Sequence, residues 1–407
     1  MKARTTVLAA ALLAGCAAAH AEPEGDGFIL DWRGQVQYDA AGVKAKLPPG
    51  ARIASGGGFR RLRLGISGQF SRNWRYDLTP KFEVASLHRL PINTAFVQYD
   101  GLAPLHLRIG AFGPSADFED SASSSDITFL ERPQPVDIAR NIGGGGGRMA
   151  LSALLYDGSY FATLSLAGGN INDTPLRQQA LIARFAWRIA GDDENNLVIG
   201  ADTTHMLAMP DFGGPPTVRF RERPEINVLT FDTRLIDTGR IAANGESEWG
   251  TEVAGNWGSL YGQGGFFRFV LNRPGLSDAA FEGWYGQASW ILTGEARRWR
   301  SERGAYGGTL PAHPLFGGDG FGAFEIAARY SRLDLDDHPG MAGAPTPAGG
   351  IRGGKQRITT IGLNWYPGGD VRFLLDYQHT DVARLSAPGG PLGARLDTVS
   401  LRSQFNF

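Results

Sequence analysis

The stretch Val-Arg-Phe-Arg-Glu-Arg-Pro, residues 218–224, places Arg219, Arg221 and Arg223 at i, i+2 and i+4. If that stretch is extended, the three guanidinium groups project to one side, about 7 Å apart. A guanidinium stays ionised and offers paired planar donors, so such a row suits phosphate-like anions, and a series of weak sites lets an ion step from one to the next. The same residues in an exposed loop would be solvated surface charge, and spacing alone leaves both readings open. Further arginines alternate with apolar residues. Arg61 and Arg63 share a face with Gly65, Ser67 and Gln69, opposite Leu62, Leu64 and Ile66. Parity therefore puts Arg61 and Arg63 on the polar side and Arg60 on the other. Arg108 alternates with Leu107 and Ile109; Arg132 and Arg140 lie in a breaker-rich stretch beside Asp117, Glu119, Asp120 and Asp126, with which they could pair.

Catalytic chemistry finds little support. The seven histidines are scattered, with neither an HExxH pair nor a Gly-x-Ser-x-Gly elbow. His106, beside Arg108, is the nearest candidate for a base, and a polar wall residue is the simpler reading. The glycines at 143–147 lack the Lys-Ser/Thr of a phosphate loop, and Asp-Leu-Asp-Asp-His-Pro-Gly at 334–340 lacks the remaining ligands of a calcium loop. The expectation is no enzyme, no metal and no cofactor.

Period-two patterning supplies the elements that would hold these arginines. Phe28, Leu30, Trp32, Val36 and Tyr38 oppose Asp31, Arg33, Gln35 and Gln37, and comparable alternation recurs at 62–70, 105–112, 148–156, 181–189, 248–257, 281–292, 356–366 and 371–379. Asp157-Gly158, Asp100-Gly101 and Pro367-Gly368-Gly369-Asp370 mark tight turns. Longer stretches rich in Gly, Pro and Asp, at 113–147, 207–225, 301–320 and 335–355, read as loops.

After the N-terminus no run of 18 uncharged apolar residues occurs, so transmembrane helices are not expected. Residues 1–21, with Lys2 and Arg4 before an apolar run and Ala19-His20-Ala21, have the layout of a secretory signal, leaving 22–407 as one domain. Leu13-Ala14-Gly15-Cys16 offers an alternative, cleavage before a lipidated Cys16. Of 40 Lys and Arg, removing Lys2 and Arg4 leaves 38 against 41 acidic side chains, a net charge of −3 that excludes a globally basic nucleic-acid binder.

About 14 to 17 strands can be marked, and the 386 residues after position 21 allow about 24 for each of 16, enough for a tilted spanning strand with its share of turn. A soluble sandwich or propeller would show the same alternation. The signal sequence, and aromatic rings at strand ends (Trp74, Tyr76, Trp257, Tyr261, Trp284, Tyr285, Trp290, Trp365 and Tyr366), favour an all-β transmembrane antiparallel barrel of about 16 strands in outer-membrane lipid. The chain ends Thr-Val-Ser-Leu-Arg-Ser-Gln-Phe-Asn-Phe with the pattern unbroken to Phe407, so the last strand should close against the first.

Several segments together resemble the phosphate-selective porin O and P family: 59–78, 97–113, 124–133, 283–299 (with Leu-Thr-Gly-Glu), 322–337 and 358–377 (with Ile-Gly-Leu-Asn-Trp-Tyr). The resemblance implies a 16-stranded trimeric barrel in the outer membrane of a Gram-negative cell, with an infolded third loop, here 113–147, narrowing a passive path for small anions such as phosphate or polyphosphate. It implies an arginine-rich segment at 219–223 and carries over Arg60 and Arg61 as a paired arginine at the pore. The serine at 125 departs from the lysine of the phosphate-specific member. Together with the acidic residues nearby, that keeps a general or weakly cation-preferring porin as the alternative. An aromatic C-terminus likewise resembles the insertion signal of outer-membrane proteins.

Overall fold

The computed structural model describes residues 27–82, 91–142, 145–173, 177–210, 213–231 and 233–407. The segment expected to be a signal sequence, with Cys16 and Ala21, lies outside the described residues. Sixteen strands form one closed antiparallel barrel: β1 (Ile29–Lys46), β2 (Gly56–Ser71), β3 (Trp74–Pro80), β4 (Ile92–Leu102), β5 (Leu105–Phe112), β6 (Arg148–Asp157), β7 (Tyr160–Asn170), β8 (Gln179–Gly191), β9 (Asn195–Ala208), β10 (Gly245–Trp257), β11 (Leu260–Asn272), β12 (Ala279–Ile291), β13 (Ala323–Asp337), β14 (Ile351–Tyr366), β15 (Val371–Ala383) and β16 (Ala394–Asn406). Closure satisfies every strand edge inside hydrocarbon, where water cannot. β16 pairs with β1 from Lys46↔Arg395 to Gln35↔Asn406, and beyond that register Gly34 and Phe407 exchange backbone hydrogen bonds of 2.7 and 3.1 Å. A side chain at position 34 would collide with the Phe407 ring, so glycine there makes room for the terminal aromatic.

The alternation is borne out strand by strand. On β15, Leu375 and Tyr377 are exposed to the outside, while Arg372, Asp376, Gln378 and Thr380 are buried inward. The girdle expectation needs correction. Trp74, Trp257, Trp284 and Trp290 are exposed outward, but Tyr261, Tyr285 and Tyr366 are buried on the lumen side. Neighbouring residues on a strand take opposite faces, so Trp284 and Tyr285 cannot both meet lipid.

On one rim the strands are joined by short turns such as 72–73, 158–159 and 258–259; on the other they are joined by long loops, which sets the outer side of the membrane. One connection breaks the rule. Residues 292–322, containing the expected loop 301–320, join β12 to β13 on the short-turn rim and fold back into the barrel through the short strands Trp299–Arg300 and Ala305–Tyr306. The stretch 335–355 also divides differently, since 335–337 finish β13 and 351–355 begin β14.

The core lies inside the barrel. Loop 113–147 carries α1 (Phe118–Ser121) and α2 (Gln134–Asn141), and Val136, Ile138 and Ala139 of α2 pack with the inward Phe267, Phe269, Phe281 and Leu333. Those inward apolar residues are where the polar-inside pattern lapses, because a loop covers them.

Candidate functional site

Loop 113–147 is held to the wall mainly through its own backbone. Arg372 donates to the carbonyls of Ile127 at 2.7 Å and Thr128 at 3.0 Å; Asn364 also donates to Thr128 at 3.0 Å, and Arg329 to Glu131 at 3.0 Å. In return the Leu130 N–H donates to Asp376 at 3.0 Å and the Phe118 N–H to Glu252 at 2.8 Å. An exposed loop would satisfy these groups with water; here inward polar side chains take that role.

Glu131 gathers the cations at the tip. Arg60 bonds both of its oxygens, one at 2.9 Å; Arg402 lies at 3.1 Å and Arg61 at 4.0 Å. Burial alone would raise the Glu131 carboxyl, but Arg60, Arg61 and Arg402 hold it well below the usual range. Arg60 reaches this site against simple parity. Gln37 pairs with Arg61 and Tyr38 with Phe59, so Arg60 is the extra residue of a β-bulge, and a bulge re-aims its side chain.

Arg63 differs. It donates to Gln35 at 3.3 Å, and among the described residues no carboxylate lies within ion-pair distance of it. Its charged neighbours are Arg140, Arg132, Arg60 and Arg33. It borders a gap of about 210 Å³ between wall and loop, shared with Arg33, Ser123, Ser125 and Asn406. Ser125 and Asn406 also line a second space, of about 320 Å³, with Arg300 and Arg303. Arg33 and Arg303 in turn line a third, of about 410 Å³, with Arg75 and Arg108. These shared residues make the three spaces direct neighbours. Arg108 donates to Gln98 at 2.8 Å and stacks 4.4 Å over Phe96. Sequence reasoning missed Arg33 and Arg303: Arg33 stands on the polar face of a strand with nothing to single it out, and Arg303 in a stretch that reads only as a loop.

Other candidates are occupied. Arg132 is buried and donates to the carbonyls of Glu119 at 2.7 Å and Ala122 at 3.0 Å; Arg140 pairs with Asp120 at 2.5 Å. Of the loop's acids Asp117 and Glu119 turn away from these spaces, but Asp126 lines the second one 3.8 Å from Arg303, and Asp31, Asp77 and Glu302 line the spaces beside the arginines. Asp117 is fully buried and caps α1 through Asp120 N–H at 2.7 Å, and Glu119 accepts from Gln287 at 2.7 Å. Burial, and then the neighbouring Glu252, push the Asp117 carboxyl well up. His106 lies 2.6 Å from Asp100 and stacks on Tyr156.

Loop 209–244 folds over the outer opening. Phe220 packs on Phe269 and Phe281 of the wall, and Glu222 is buried, so Arg219 and Arg221 face the opposite way and are exposed. Arg219 forms a two-bond pair with Asp237; Arg223 is partly exposed beside Glu222. Burial first, then Asp137, pushes the Glu222 carboxyl up to about 8, with Arg234 and Arg223 opposing. Because its folded value is raised above the ordinary 4.5, the docked loop holds a proton that a released loop gives up. Docking therefore weakens as pH rises from about 4.5 to about 8, by up to about 1.36 kcal/mol per unit. Protease cleavage within 209–244 should be faster at pH 9 than at pH 6, and Glu222→Gln should flatten that dependence; an unchanged profile in the variant would assign the effect to another group.

Comparison with known proteins decides the family. The model of phosphate-selective porin O and P matches residues 31–407. The chain belongs to this porin family. Porin O of Pseudomonas aeruginosa is 22% identical over 387 residues, covering 89% of this chain and 85% of that protein. A protein of Caulobacter vibrioides is 26% identical over 402 residues, covering 92% and 73%. Among solved structures, the anion-selective porin from Comamonas acidovorans superposes with a TM-score of 0.55 at 12% identity, covering 93% of this chain and all of that one. OmpT of Vibrio cholerae gives 0.54 at 9% identity, covering 95% and 99%. At those identities the structures speak for the fold alone. The porin is therefore an outer-membrane channel protein of a Gram-negative bacterium.

Proposed function

We propose that this porin is a passive path for small anions, phosphate and polyphosphate among them, without tight selectivity for phosphate. The observation that carries the reading is Arg63, which borders the smallest of three adjoining spaces with no carboxylate in ion-pair distance among the described residues, while Arg33 and Arg303 in the same spaces are offset by Asp77 and Asp126. A confined, poorly screened space makes such charges act more strongly on an ion than open water would. Serine at 125, on the line between two of the spaces, supplies hydroxyl and not charge, which argues for weak sites. Arg219, Arg221 and Arg223 form the outermost tier, with Arg60, Arg61, Arg132 and Arg140 setting the potential from the loop and wall behind it. The name of the Comamonas relative, an anion-selective porin, supports the same reading.

A cation-preferring porin is the weaker reading, because Asp117 and Glu119 are spent on holding the loop and the lining acids Asp77 and Asp126 are paired with Arg33 and Arg303. A barrel enzyme is weaker still: His106 is occupied by Asp100 and Tyr156. Assembly as a homotrimer follows the family resemblance and the trimer form in which OmpT is described.

The test is the reversal potential across a planar bilayer in a salt gradient. Anion preference is expected. Changing Arg219, Arg221 and Arg223 together to Ala should leave folding intact, since lumen and loop positions tolerate change, and lower that preference about two- to threefold at low salt, less at high salt. Arg219 contributes least because Asp237 already offsets it. A parent reversal potential retained at both salt levels would make this tier a solvated loop.

A further inference from the structure

The outward face of β13–β16 and β1 changes character at one height. On β14, Trp365, Leu363 and Ile361 give way to Arg357 and Lys355, and on β16, Leu401 and Val399 give way to Asp397 and Arg395. From Phe405 to Arg395 is ten residues of tilted strand, about 25 Å along the membrane normal, which matches the apolar band of such barrels. The charges therefore sit at the outer headgroup level, next to the long-loop rim.

Six cations lie on this outward stripe: Lys44, Lys46, Arg332, Lys355, Arg357 and Arg395. Four acids lie among them: Asp336, which borders a cleft beside Lys46, and three that form ion pairs. Asp334 pairs with Lys355 at 2.8 Å and Arg332 at 3.3 Å, Asp381 with Arg395 at 3.1 Å, and Asp397 with His379 at 2.8 Å. Among the described residues no ion pair reaches Lys44, Lys46 or Arg357.

In the register Asp397 stands opposite Lys44, and Asp381 opposite both Arg357 and Arg395, but two pairs are of like charge. Lys46 stands directly opposite Arg395, and Arg332 directly opposite Arg357. Like charges facing across a strand pair are destabilising, with their Cβ atoms about 5 Å apart. An anion bridging each pair would reverse that sign. Beside the first pair is a cleft of about 520 Å³ whose charged lining is Lys46, Lys355, Arg384 and Arg395 against Asp336 and Asp381, with apolar Leu47 and Ala383. It is open to the outside of the barrel at headgroup height.

We propose that this stripe binds the phosphorylated headgroup of an outer-leaflet glycolipid, with one phosphate between Lys46 and Arg395 and a second between Arg332 and Arg357. The acyl chains then lie on the apolar band below. The surface is distinct from the lumen spaces, so its failure would leave the channel reading untouched.

The experiment uses the full chain in mild detergent, with lipid A carrying both phosphates and its dephosphorylated counterpart as probes. The phosphorylated lipid should bind at least about tenfold more tightly, and Lys46→Gln with Arg395→Gln should remove most of that difference while single-channel conductance stays at the parent value. If the double variant fails to assemble, the parent protein still decides the matter through the two lipids' effects on its thermal midpoint: only the phosphorylated one should raise it. Equal binding of both lipids, or a double variant that binds like the parent, overturns the proposal. Full displacement by millimolar inorganic phosphate would assign the cleft to free anions, and a change of oligomeric state with lipid binding intact would make the stripe a subunit contact; either result also overturns it.

Discussion

Changing Arg33 and Arg63 together to Ala is expected to lower the preference for anions over cations by about tenfold at low salt, the largest electrostatic effect of any pair in the lumen. Both border the smallest of the three adjoining spaces, about 210 Å³. At about 8 Å one charge acts on a passing ion by about 2 kcal/mol at an effective dielectric near 20 and by about 0.5 kcal/mol at that of water; mobile ions and water in the gap hold the pair's combined effect near the lower figure, and about 1.4 kcal/mol is tenfold in relative population. Loss of Arg33 also uncovers Asp77, its ion-pair partner, which adds a site for cations. Thr79 accepts from Arg33 at 3.3 Å and remains in place, so the wall has little reason to move. The Lys versions of both variants should keep the parent reversal potential. If the double-Ala protein keeps it as well, ions do not pass through this gap.

The fold was legible because one rule, side chains alternating about a closed sheet, governs nearly every strand. The same rule failed where the backbone departs from it or where a face is not what it first suggests. Parity alone puts Arg60 on the face away from the lumen, while the family resemblance puts it at the pore beside Arg61; the bulge opposite Gln37 and Tyr38 brings it to Glu131. Tyr285 and Tyr366 were read as girdle residues because tyrosine suits an interface, yet each follows an outward tryptophan or lies past one, and period two sends it inward. The row at 219–223 was legible as spacing, and Phe220 and Glu222 do turn to the wall. Its partners were not, since Asp237 lies 18 residues from Arg219. Loop placement was least accessible. Residues 292–322 look like any Gly- and Pro-rich outer loop, and only strand count around the whole barrel puts them on the inner rim, where Arg297 reaches the Asp126 carbonyl at 2.9 Å. An arginine that serves as a hydrogen-bond donor to a loop cannot be told in sequence from one that faces an ion. Arg372 and Arg402 are the clearest cases, both inward and both committed to loop 113–147 or its carboxylate.

Glu131→Gln tests whether that loop is a structural strut or part of the selectivity mechanism. Breaking a buried pair commonly costs about 3–5 kcal/mol, which would detach the loop tip if Glu131 were its sole anchor. It is not the sole anchor. Arg402 keeps both bonds to Asp39 at 2.7 Å, Arg61 keeps Gln37 at 2.7 Å, and the loop backbone keeps Arg372, Asn364 and Asp376. Arg60 loses its carboxylate partner outright, with a side chain already 24% exposed, and Arg61 loses the longer 4.0 Å pair. The balance therefore favours a loop that stays docked with one more uncompensated positive charge behind it. The expected result is a thermal midpoint lowered by a few degrees and an anion preference raised about threefold at low salt, fading as salt is increased over a Debye length of about 10 Å or less. Glu131→Ala should show the same shift in reversal potential with a larger loss of stability, because it also removes the hydrogen bonding that Gln retains. A fall in anion preference in the Gln variant, with conductance unchanged, would mean that Arg60 and Arg61 do not face the ion path and that Glu131 only fastens the loop.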